Sequence, residues 1–305
     1  MRKLTNPNAL PVAARLYDYI CSLQGKKCLT GQMESVWKES PEHEMNYLLE
    51  HTGWLPAIRG LDFISNDFDG CVRRARDWHA RGGIVTICWH TGPDFASSYK
   101  QSQENDLNWE AAFTPGTEEN RALLEGMDRA VPALRQLQAM NIPVLWRPFH
   151  EFDGKWFWWG RGGEEGFIRL WRLMYDRYTN LHKLNNLIWV LGFSDAPGDL
   201  KPWYPGDDVV DILGGDSYKG GAQGDLYRKC AEIAPEGMPI CYHENGEIPS
   251  RSQMEQEKAP WVWFMTWHTR WITTDEYNTQ EKLTEVFRDD YFVKLHQVPD
   301  FITGK

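Results

Sequence analysis

Two glutamates stand where apolar segments give way to glycine-containing loops. Glu151 follows the apolar segment 143–149, and Glu244 follows the segment 239–242 and precedes a glycine turn. Two carboxyl groups about 5–5.5 Å apart can hydrolyse a glycosidic bond with retention of configuration, one as nucleophile and one as acid/base. Because neighbouring carboxyl groups do not ionise equally easily, one can stay protonated while its partner is anionic. We therefore predict a catalytic carboxylate pair.

The residues around Glu151 also bear on its role. Strand alternation places Arg147, Phe149 and Glu151 on one face and His150 on the other, although both could border a site if the alternation ends there. Glu151 could instead be a solvated loop carboxylate, but it directly precedes the indole-rich loop 156–159. Those rings could stack on sugars or simply plug the mouth of a barrel.

Eight short apolar segments alternate with helix-patterned stretches such as 118–140 and 164–184. This alternation favours an α/β fold, a (β/α)₈ TIM barrel in which the whole chain, 1–305, is a single catalytic domain. A doubly wound open sheet is the rival, but no glycine-rich phosphate loop follows the first segment. In a barrel, catalytic residues lie at the carboxyl ends of the strands. The predicted strands are 28–33, 55–63, 84–89, 143–149, 187–193, 209–213, 239–242 and 261–267.

The composition narrows the function classes. A net charge of −10 argues against nucleic acid and anionic membranes as partners, and 16 tryptophans are compatible with a carbohydrate site. The amino-terminal segment has no apolar core typical of a signal peptide. We therefore expect a cytoplasmic protein if the sequence is complete, and a secreted or periplasmic one if a signal peptide has been removed.

Three motifs could be mistaken for metal or phosphate sites. The HEFDG motif has Gly154 where a zinc-binding helix needs its second histidine. The segment 67–70 lacks the acidic residue that completes a calcium loop, and the segment 160–163 lacks the Lys-Ser/Thr of a phosphate loop. The six cysteines show no metal-binding spacing. We expect no metal and no cofactor.

Other polar residues near strand ends have structural interpretations. Arg59 and Asp62 could form a mutual ion pair, and His243 is expected to be structural. Arg147 is expected to face inward and hold a carboxylate, that of Glu244.

The run RPFHEFDGKWFWWG, residues 147–160, resembles the signature of glycoside hydrolase family 26, the family of β-mannanases and their relatives. Further segments are similar to the family's: TGWLPAIRGLDF at 52–63, WH-x-x-P at 89–93, VDILGGDSY at 210–218, and HENG at 243–246. The resemblance covers about residues 30–267, which is most of the chain. It implies the same barrel, with an acid/base after the fourth strand and a nucleophile after the seventh.

The resemblance assigns roles residue by residue. Glu151 is the implied acid/base and Glu244 the implied nucleophile, and Tyr218 resembles the family tyrosine that hydrogen-bonds the nucleophile. Tyr218 could alternatively be ordinary packing.

The sugar contacts are implied in the same way. His150 takes the place of an asparagine near the sugar 2-hydroxyl, and His90 resembles a polar contact to that sugar. Trp267 resembles the platform under the sugar at the cleavage point, with an inward direction shared by Trp261 and Trp263. Trp156 resembles a stacking surface on the leaving-group side. The chain departs from the family at 152–153, where Phe-Asp replaces Met-Asn, and this could alter leaving-group contacts.

The predicted reaction is double displacement on a β-1,4-mannan or manno-oligosaccharide, with the substrate implied by the resemblance alone. The long loop 90–118, including Trp109, could close one end of the cleft and favour exo action or short oligosaccharides. A family 26 β-1,3-1,4-glucanase or β-1,3-xylanase remains an alternative, as does a non-catalytic carbohydrate-binding barrel. A metal-dependent hydrolase on the same fold would need histidine and aspartate ligands together, whereas the histidines are scattered along the strands.

Overall fold

The computed structural model describes residues 2–300, and its central feature is a closed barrel of eight parallel strands. Each strand pairs with the next along the chain, and the last pairs with the first through Gln32 and Thr266. The predicted (β/α)₈ fold is confirmed. The strands are β1 (Gly31–Met33), β2 (Ile58–Asp62), β3 (Ile84–Cys88), β4 (Val144–Arg147), β5 (Leu187–Ser194), β6 (Ile212–Ser217), β7 (Ile240–Asn245) and β8 (Phe264–Thr266).

Helices and short turns occupy the segments between the strands. No helix in the described range 2–300 is long and apolar enough to cross a membrane. The shorter turns are Ile64–Asn66, Phe152–Gly154, Asp176–Leu181, Lys201–Trp203 and Leu295–Gln297. The α-helices are α1 (Pro11–Leu23), α2 (His43–Thr52), α3 (Phe68–Ala80), α4 (Tyr99–Glu104), α5 (Trp109–Ala112), α6 (Glu118–Asp128), α7 (Val131–Ala139), α8 (Trp158–Arg161), α9 (Gly163–Tyr175), α10 (Gly224–Ile233), α11 (Arg251–Glu257), α12 (Arg270–Thr273) and α13 (Gln280–Arg288).

Burial on both faces explains why the strands are continuous apolar runs. All eight residues of β5 are buried, because its side chains alternate between the barrel interior and the layer under the helices.

Polar side chains fix where helices begin. Asp67 accepts a hydrogen bond from Gly70 N at 3.0 Å and caps α3. The acidic segment 67–70 is thus a helix start.

Several predicted boundaries differ from the structure. The segment 28–33 is two strands, because Cys28–Leu29 pairs with Phe292–Val293 outside the barrel before β1 begins. The predicted helix 118–140 is divided into α6 and α7, with Pro132 in the first turn of α7, where its missing N–H costs no helical hydrogen bond. The predicted helix 164–184 ends as α9 at Tyr175 and continues as a π-helical turn.

The sixth and seventh strands continue further than the apolar pattern indicated. β6 runs through two glycines to Ser217, and β7 runs through Glu244 to Asn245. Gly215 pairs with Tyr242, but the next residue, Asp216, pairs with Glu244, so His243 is an extra residue in β7. Such a bulge re-aims the side chains that follow it. It places Glu244 directly across from Asp216.

Candidate active site

A cavity of about 560 Å³ opens at the carboxyl ends of the barrel strands. This is the end at which the chemistry of (β/α)₈ barrels is found. The structure brings all seven predicted catalytic and sugar-contacting residues to this one cavity, and Arg147 lies buried behind it. The seven are His90, His150, Glu151, Trp156, Tyr218, Glu244 and Trp267.

The loop that carries Glu151 has an unusual backbone. Phe149 and Glu151 have φ of 53°, and Lys155 has φ of 60°, all in the left-handed region that side chains other than glycine rarely adopt. This conformation ends the strand alternation after β4, so His150 and Glu151 both line the cavity. Backbone strain of this kind is concentrated at functional sites.

Glu151 is a buried carboxyl held by the neighbouring indole. The Nε1 of Trp156 donates a hydrogen bond to Oε2 of Glu151 at 2.8 Å. Burial, followed by the charges of Glu244 and Asp216, holds the pKa of Glu151 well above its usual range. Gly154 makes the arrangement possible, because a Cβ there would lie 1.9 Å from the Trp156 ring. A carboxyl group whose pKa is raised in this way, beside an aromatic wall, suits a general acid.

Glu244 has hydrogen-bond donors on both of its carboxylate oxygens. The hydroxyl of Tyr218 donates to Oε1, and the guanidinium of Arg147 donates to Oε2. The predicted contact of Arg147 with Glu244 is therefore present. Arg147 also donates to Oδ2 of Asp216 at 2.6 Å, so one buried guanidinium joins the ends of β4, β6 and β7.

The carboxyl groups lie close enough to act on one substrate atom. One oxygen each of Glu151, Asp216 and Glu244 lies within 4.8 Å of the others. This bound agrees with the short carboxyl separation of retaining glycosidases, whereas inverting enzymes hold their two carboxyl groups about 6.5–9.5 Å apart. Asp216 was not singled out from the sequence, although it stands two residues before Tyr218.

Two histidines line the cavity beside Glu244. His150 Nε2 lies 3.9 Å from Oε2 of Glu244, and burial together with the charge of Arg147 holds the pKa of His150 well below its usual range. A neutral imidazole there can donate or accept a hydrogen bond with a sugar hydroxyl. His90 stands next to it, with 4.6 Å between the ring centroids, and its Nδ1 lies 2.5 Å from Oδ2 of Asp62. That contact fixes the ring and leaves Nε2 for the cavity.

The predicted pairing of Arg59 with Asp62 is wrong. Arg59 binds Glu34 at 2.7 Å and Glu42 at 2.6 Å, whereas Asp62 binds His90. Residues three apart on a strand point to opposite faces, so the two side chains cannot meet. His243 fills the structural place expected of it, with Nε2 3.1 Å from Oγ1 of Thr86 inside the barrel.

The aromatic loop after Glu151 divides between the two predicted uses. Trp158 and Trp159 are fully buried and donate to the backbone oxygens of Thr91 and His150, so they form the plug. Trp156 and Phe157 line the cavity. Around β8, Trp263 before the strand faces the interior with Trp267 after it, but Trp261 packs in the outer layer, so their predicted common direction holds only in part.

The two residues at which the chain departs from the family, 152–153, anchor the loop that carries Glu151. Phe152 stacks on Phe167 with 3.6 Å between ring centroids. Asp153 accepts hydrogen bonds from the backbone and hydroxyl of Ser194, at 2.8 and 3.0 Å. Both side chains anchor the loop to its surroundings, and the expected change in leaving-group contacts stays a prediction.

The loop 90–118 contributes to the cavity through His90 and α4 and not through Trp109. Tyr99 and Gln103 line the cavity, whereas Trp109 packs against Phe113 and Trp158. Sequence patterns did not single out the other lining residues, because isolated aromatic and polar residues in loops carry no periodic signal. They include Trp37, Tyr99, His268 and Trp271.

Among residues 2–300, two groups of acidic, histidine or cysteine side chains have potential ligand atoms close enough for a metal ion. They are Asp62, Cys88 and His90, and the three carboxylates Glu151, Asp216 and Glu244. In the first group, Asp62 already binds His90, and Cys88 Sγ contacts the Leu61 carbonyl at 3.6 Å. In the second group, the Arg147 guanidinium already occupies the cationic position between Asp216 and Glu244. Neither donor set favours a cation.

Comparison with known proteins gives a consistent picture. A model described as "Glycosyl hydrolase family 26" matches residues 5–297. A "Mannan endo-1,4-beta-mannosidase" of Thermothelomyces thermophilus is 33% identical over 97% of this chain and 63% of its own length. "Mannan endo-1,4-beta-mannosidase B" of Piromyces sp is 34% identical over 98% of this chain and 54% of its own length. The chain thus spans less than two thirds of these relatives.

A solved structure agrees closely with the fold. It is that of a "beta-mannanase from a symbiotic protist of the termite Reticulitermes speratus complexed with gluco-manno-oligosaccharide". The TM-score is 0.87 at 29% identity, and the match covers 97% of each chain.

Proposed function

The chain belongs to glycosyl hydrolase family 26, and we therefore propose that it hydrolyses β-1,4-mannosidic linkages in mannan or manno-oligosaccharides with retention of configuration. The pairing of a buried Glu151, whose pKa is raised, with a hydrogen-bonded Glu244 in one cavity carries the proposal. The names of the relatives from Thermothelomyces thermophilus and Piromyces sp support mannan as the substrate.

Double displacement assigns each carboxyl a distinct task. Glu244 attacks the anomeric carbon while Glu151 gives its proton to the departing glycosidic oxygen, so a glycosyl ester on Glu244 forms as the bond to the leaving group breaks. Glu151, now anionic, takes a proton from water as the water attacks the anomeric carbon, and Glu244 is released. The Arg147 and Tyr218 donors keep Glu244 oriented for attack.

Four side chains are proposed to hold the sugars around this centre. Trp267 forms the platform under the sugar whose anomeric carbon reacts, and His90 and His150 bind its hydroxyl groups. Trp156, joined to Glu151 by a hydrogen bond, stacks on the sugar of the leaving group.

We propose that the enzyme cleaves within the polymer chain. The cavity continues past the Trp267 platform to Trp37, and both curated relatives are named as endo-acting. A product profile that contains only mannose or mannobiose from the first minutes would instead indicate exo action imposed by the loop 90–118.

We also propose that the chain acts as one catalytic domain. The barrel uses strands from Gly31 to Thr266, and the pair Cys28–Leu29 with Phe292–Val293 ties the segments before and after it together.

A substrate panel tests the proposed function. Initial rates are measured on β-1,4-mannan, on the β-1,3-1,4-glucan lichenan and on β-1,3-xylan, with and without EDTA. We expect mannan to be cleaved fastest and EDTA to have no effect. Preferred cleavage of lichenan or xylan would overturn the substrate, and loss of activity with EDTA would overturn the carboxylate mechanism. Sugar binding with no cleavage of any polymer would indicate a carbohydrate-binding barrel.

A further inference from the structure

Trp37 is an exposed indole at the catalytic end of the barrel. It lies in the loop between β1 and α2 and is 55% exposed, more than any other tryptophan in the described part of the chain. Its side chain lines the same cavity as Glu151 and Glu244. A large apolar ring left open to solvent beside a binding cavity indicates a contact surface for a ligand.

The loop that carries Trp37 is firmly anchored. Ser35 donates from its backbone and its hydroxyl to the buried carboxylate of Glu44, at 3.1 and 2.7 Å. Glu34, on the other side of Ser35, binds Arg59 and Arg74 at 2.7 Å each. The exposure of Trp37 is therefore a fixed feature of the fold, because the residues before it cannot rearrange without breaking buried charge pairs.

The same Glu44 carboxylate also anchors the loop after β8. Its Oε1 accepts a hydrogen bond from the backbone of Thr269 at 2.9 Å, next to His268. The edge-to-face contact of Trp37 with His268 has 4.5 Å between ring centroids and an interplanar angle of 88°. His268 in turn lies against Trp267 at 4.6 Å. One carboxylate thus aligns three successive rings along the cavity wall.

The ring of Trp37 has little electrostatic reason to bind a charged ligand. Burial lowers the pKa of His268 to about 4, so this neighbour is neutral at neutral pH. The edge-to-face contact with His268 can cover at most one broad face of the indole, so at least one face is free of this neighbour. A flat, uncharged ring of this size suits the C–H face of a pyranose.

The position of Trp37 also fixes which end of a substrate it would meet. Trp156 is hydrogen-bonded to Glu151, and Glu151 must protonate the leaving group. Trp156 therefore belongs to the leaving-group side. Trp37 is joined to Trp267 through His268 and therefore continues the wall on the side of the sugar that becomes bound to Glu244.

We propose that Trp37 is a stacking platform for a further sugar of a β-linked hexopyranose chain, on the non-reducing side of the sugar above Trp267. Glu44 is the positioning residue that holds the platform in line. This inference rests on the proposed function and adds a binding subsite to it.

Binding of manno-oligosaccharides tests the platform. In a Glu244→Gln background that prevents turnover, Trp37→Ala should weaken the binding of mannohexaose by about tenfold, equivalent to ~1.4 kcal/mol, and that of mannobiose far less. Trp37→Phe should restore much of the affinity, since it keeps an aromatic face. Trp54→Ala is the matched control, because Trp54 is 38% exposed and stacks on His296 before β2, at the other end of the barrel.

The outcomes separate the subsite from the proposed function. Equal mannohexaose affinity with and without the Trp37 ring, in a protein that cleaves mannan, would overturn the subsite alone. If the Glu244→Gln background does not fold, the ratio of kcat/KM for mannohexaose to that for mannotriose in otherwise native protein gives the same comparison. If the protein cleaves lichenan in place of mannan, the oligosaccharides of that β-glucan replace those of mannan. Cleavage of the pentose polymer xylan in place of both would overturn the hexopyranose subsite. A protein that cleaves none of the three overturns both proposals.

Discussion

The indole nitrogen of Trp156 lies 2.8 Å from Oε2 of Glu151, so the proposed leaving-group platform is bonded to the proposed acid. This hydrogen bond stabilises the ionised carboxylate and therefore lowers the pKa of Glu151. Burial and the charge of Glu244 act in the opposite direction and have the larger effect. The net pKa is raised. A leaving-group sugar stacked on Trp156 would therefore contact the side chain that tunes the acidity of Glu151, which protonates the glycosidic oxygen of that sugar.

Removing that hydrogen bond should shift the pH dependence. In Trp156→Phe the donor is lost, the anion of Glu151 is less stable, and its pKa should rise. Because Glu151 must be protonated for the first step, the alkaline limb of kcat/KM against pH should move to higher pH. The profile is measured on mannohexaose. An unchanged limb, or one that moves to lower pH, would show that the indole does not act on this group. Trp54→Phe serves as the control, and its limb should stay in place.

The hydroxyl of Tyr218 should contribute mainly to turnover. Tyr218→Phe removes one of the two donors on Glu244 and should lower kcat by about 10–100-fold, as expected for a hydrogen bond to a charged group. The KM for mannohexaose should change much less. The control is Tyr204→Phe, whose lost hydroxyl binds Asp207 at 2.9 Å on the surface. A kcat within about twofold of the native value for Tyr218→Phe would contradict this role.

Arg147 should be a principal source of stability at the site. Arg147→Met leaves Asp216 and Glu244 as facing buried carboxylates without a cation, and should lower the free energy of unfolding by about 3–5 kcal/mol. Arg172→Met removes an exposed pair with Asp208 and should cost less than ~1 kcal/mol. Urea unfolding measures both. Equal losses in the two variants would contradict the argument.

Asp153 should make stability depend on pH. Burial raises the pKa of Asp153 to about 6 from an ordinary 3.8, despite two hydrogen bonds from Ser194. Between these values the folded protein binds more protons than the unfolded one, so its stability falls as pH rises. Asp153→Asn removes this dependence. The free energy of unfolding of the variant, relative to that of the native protein, should therefore rise from pH 4 to pH 7 by at most ~3 kcal/mol. Free energies of unfolding of the two proteins, measured across that pH range, test this prediction. A difference between them that does not change with pH would show that Asp153 is not the group responsible.

Much of the fold and of the site could be predicted from local sequence. The barrel is marked by apolar runs that are buried on both faces, and a long motif surrounds Glu151. Register is different, because it depends on contacts between strands. The bulge at His243 that sets Glu244 opposite Asp216 leaves no local signal, since it arises from the pairing of β7 with β6.

Long-range partners escaped prediction for the same reason. Arg59 reaches Glu34 and Glu42 because those residues belong to the loop after β1, which folds over the end of β2. Glu44 and Thr269 are 225 residues apart in sequence, yet one hydrogen bond joins them. Only the closed barrel brings such segments together.

The assignment of nucleophile and acid is tested most directly by azide rescue of the two alanine variants. In Glu244→Ala, added azide should restore the turnover of an activated β-mannoside. The product should be the α-mannosyl azide, because azide attacks from the side that the nucleophile has vacated. Azide with Glu151→Ala should yield the β-mannosyl azide, because it attacks the glycosyl ester on Glu244 from the opposite face. NMR of the anomeric proton and carbon identifies the products. Near-native mannan hydrolysis by Glu244→Ala, or the reverse pair of azides, would contradict the account.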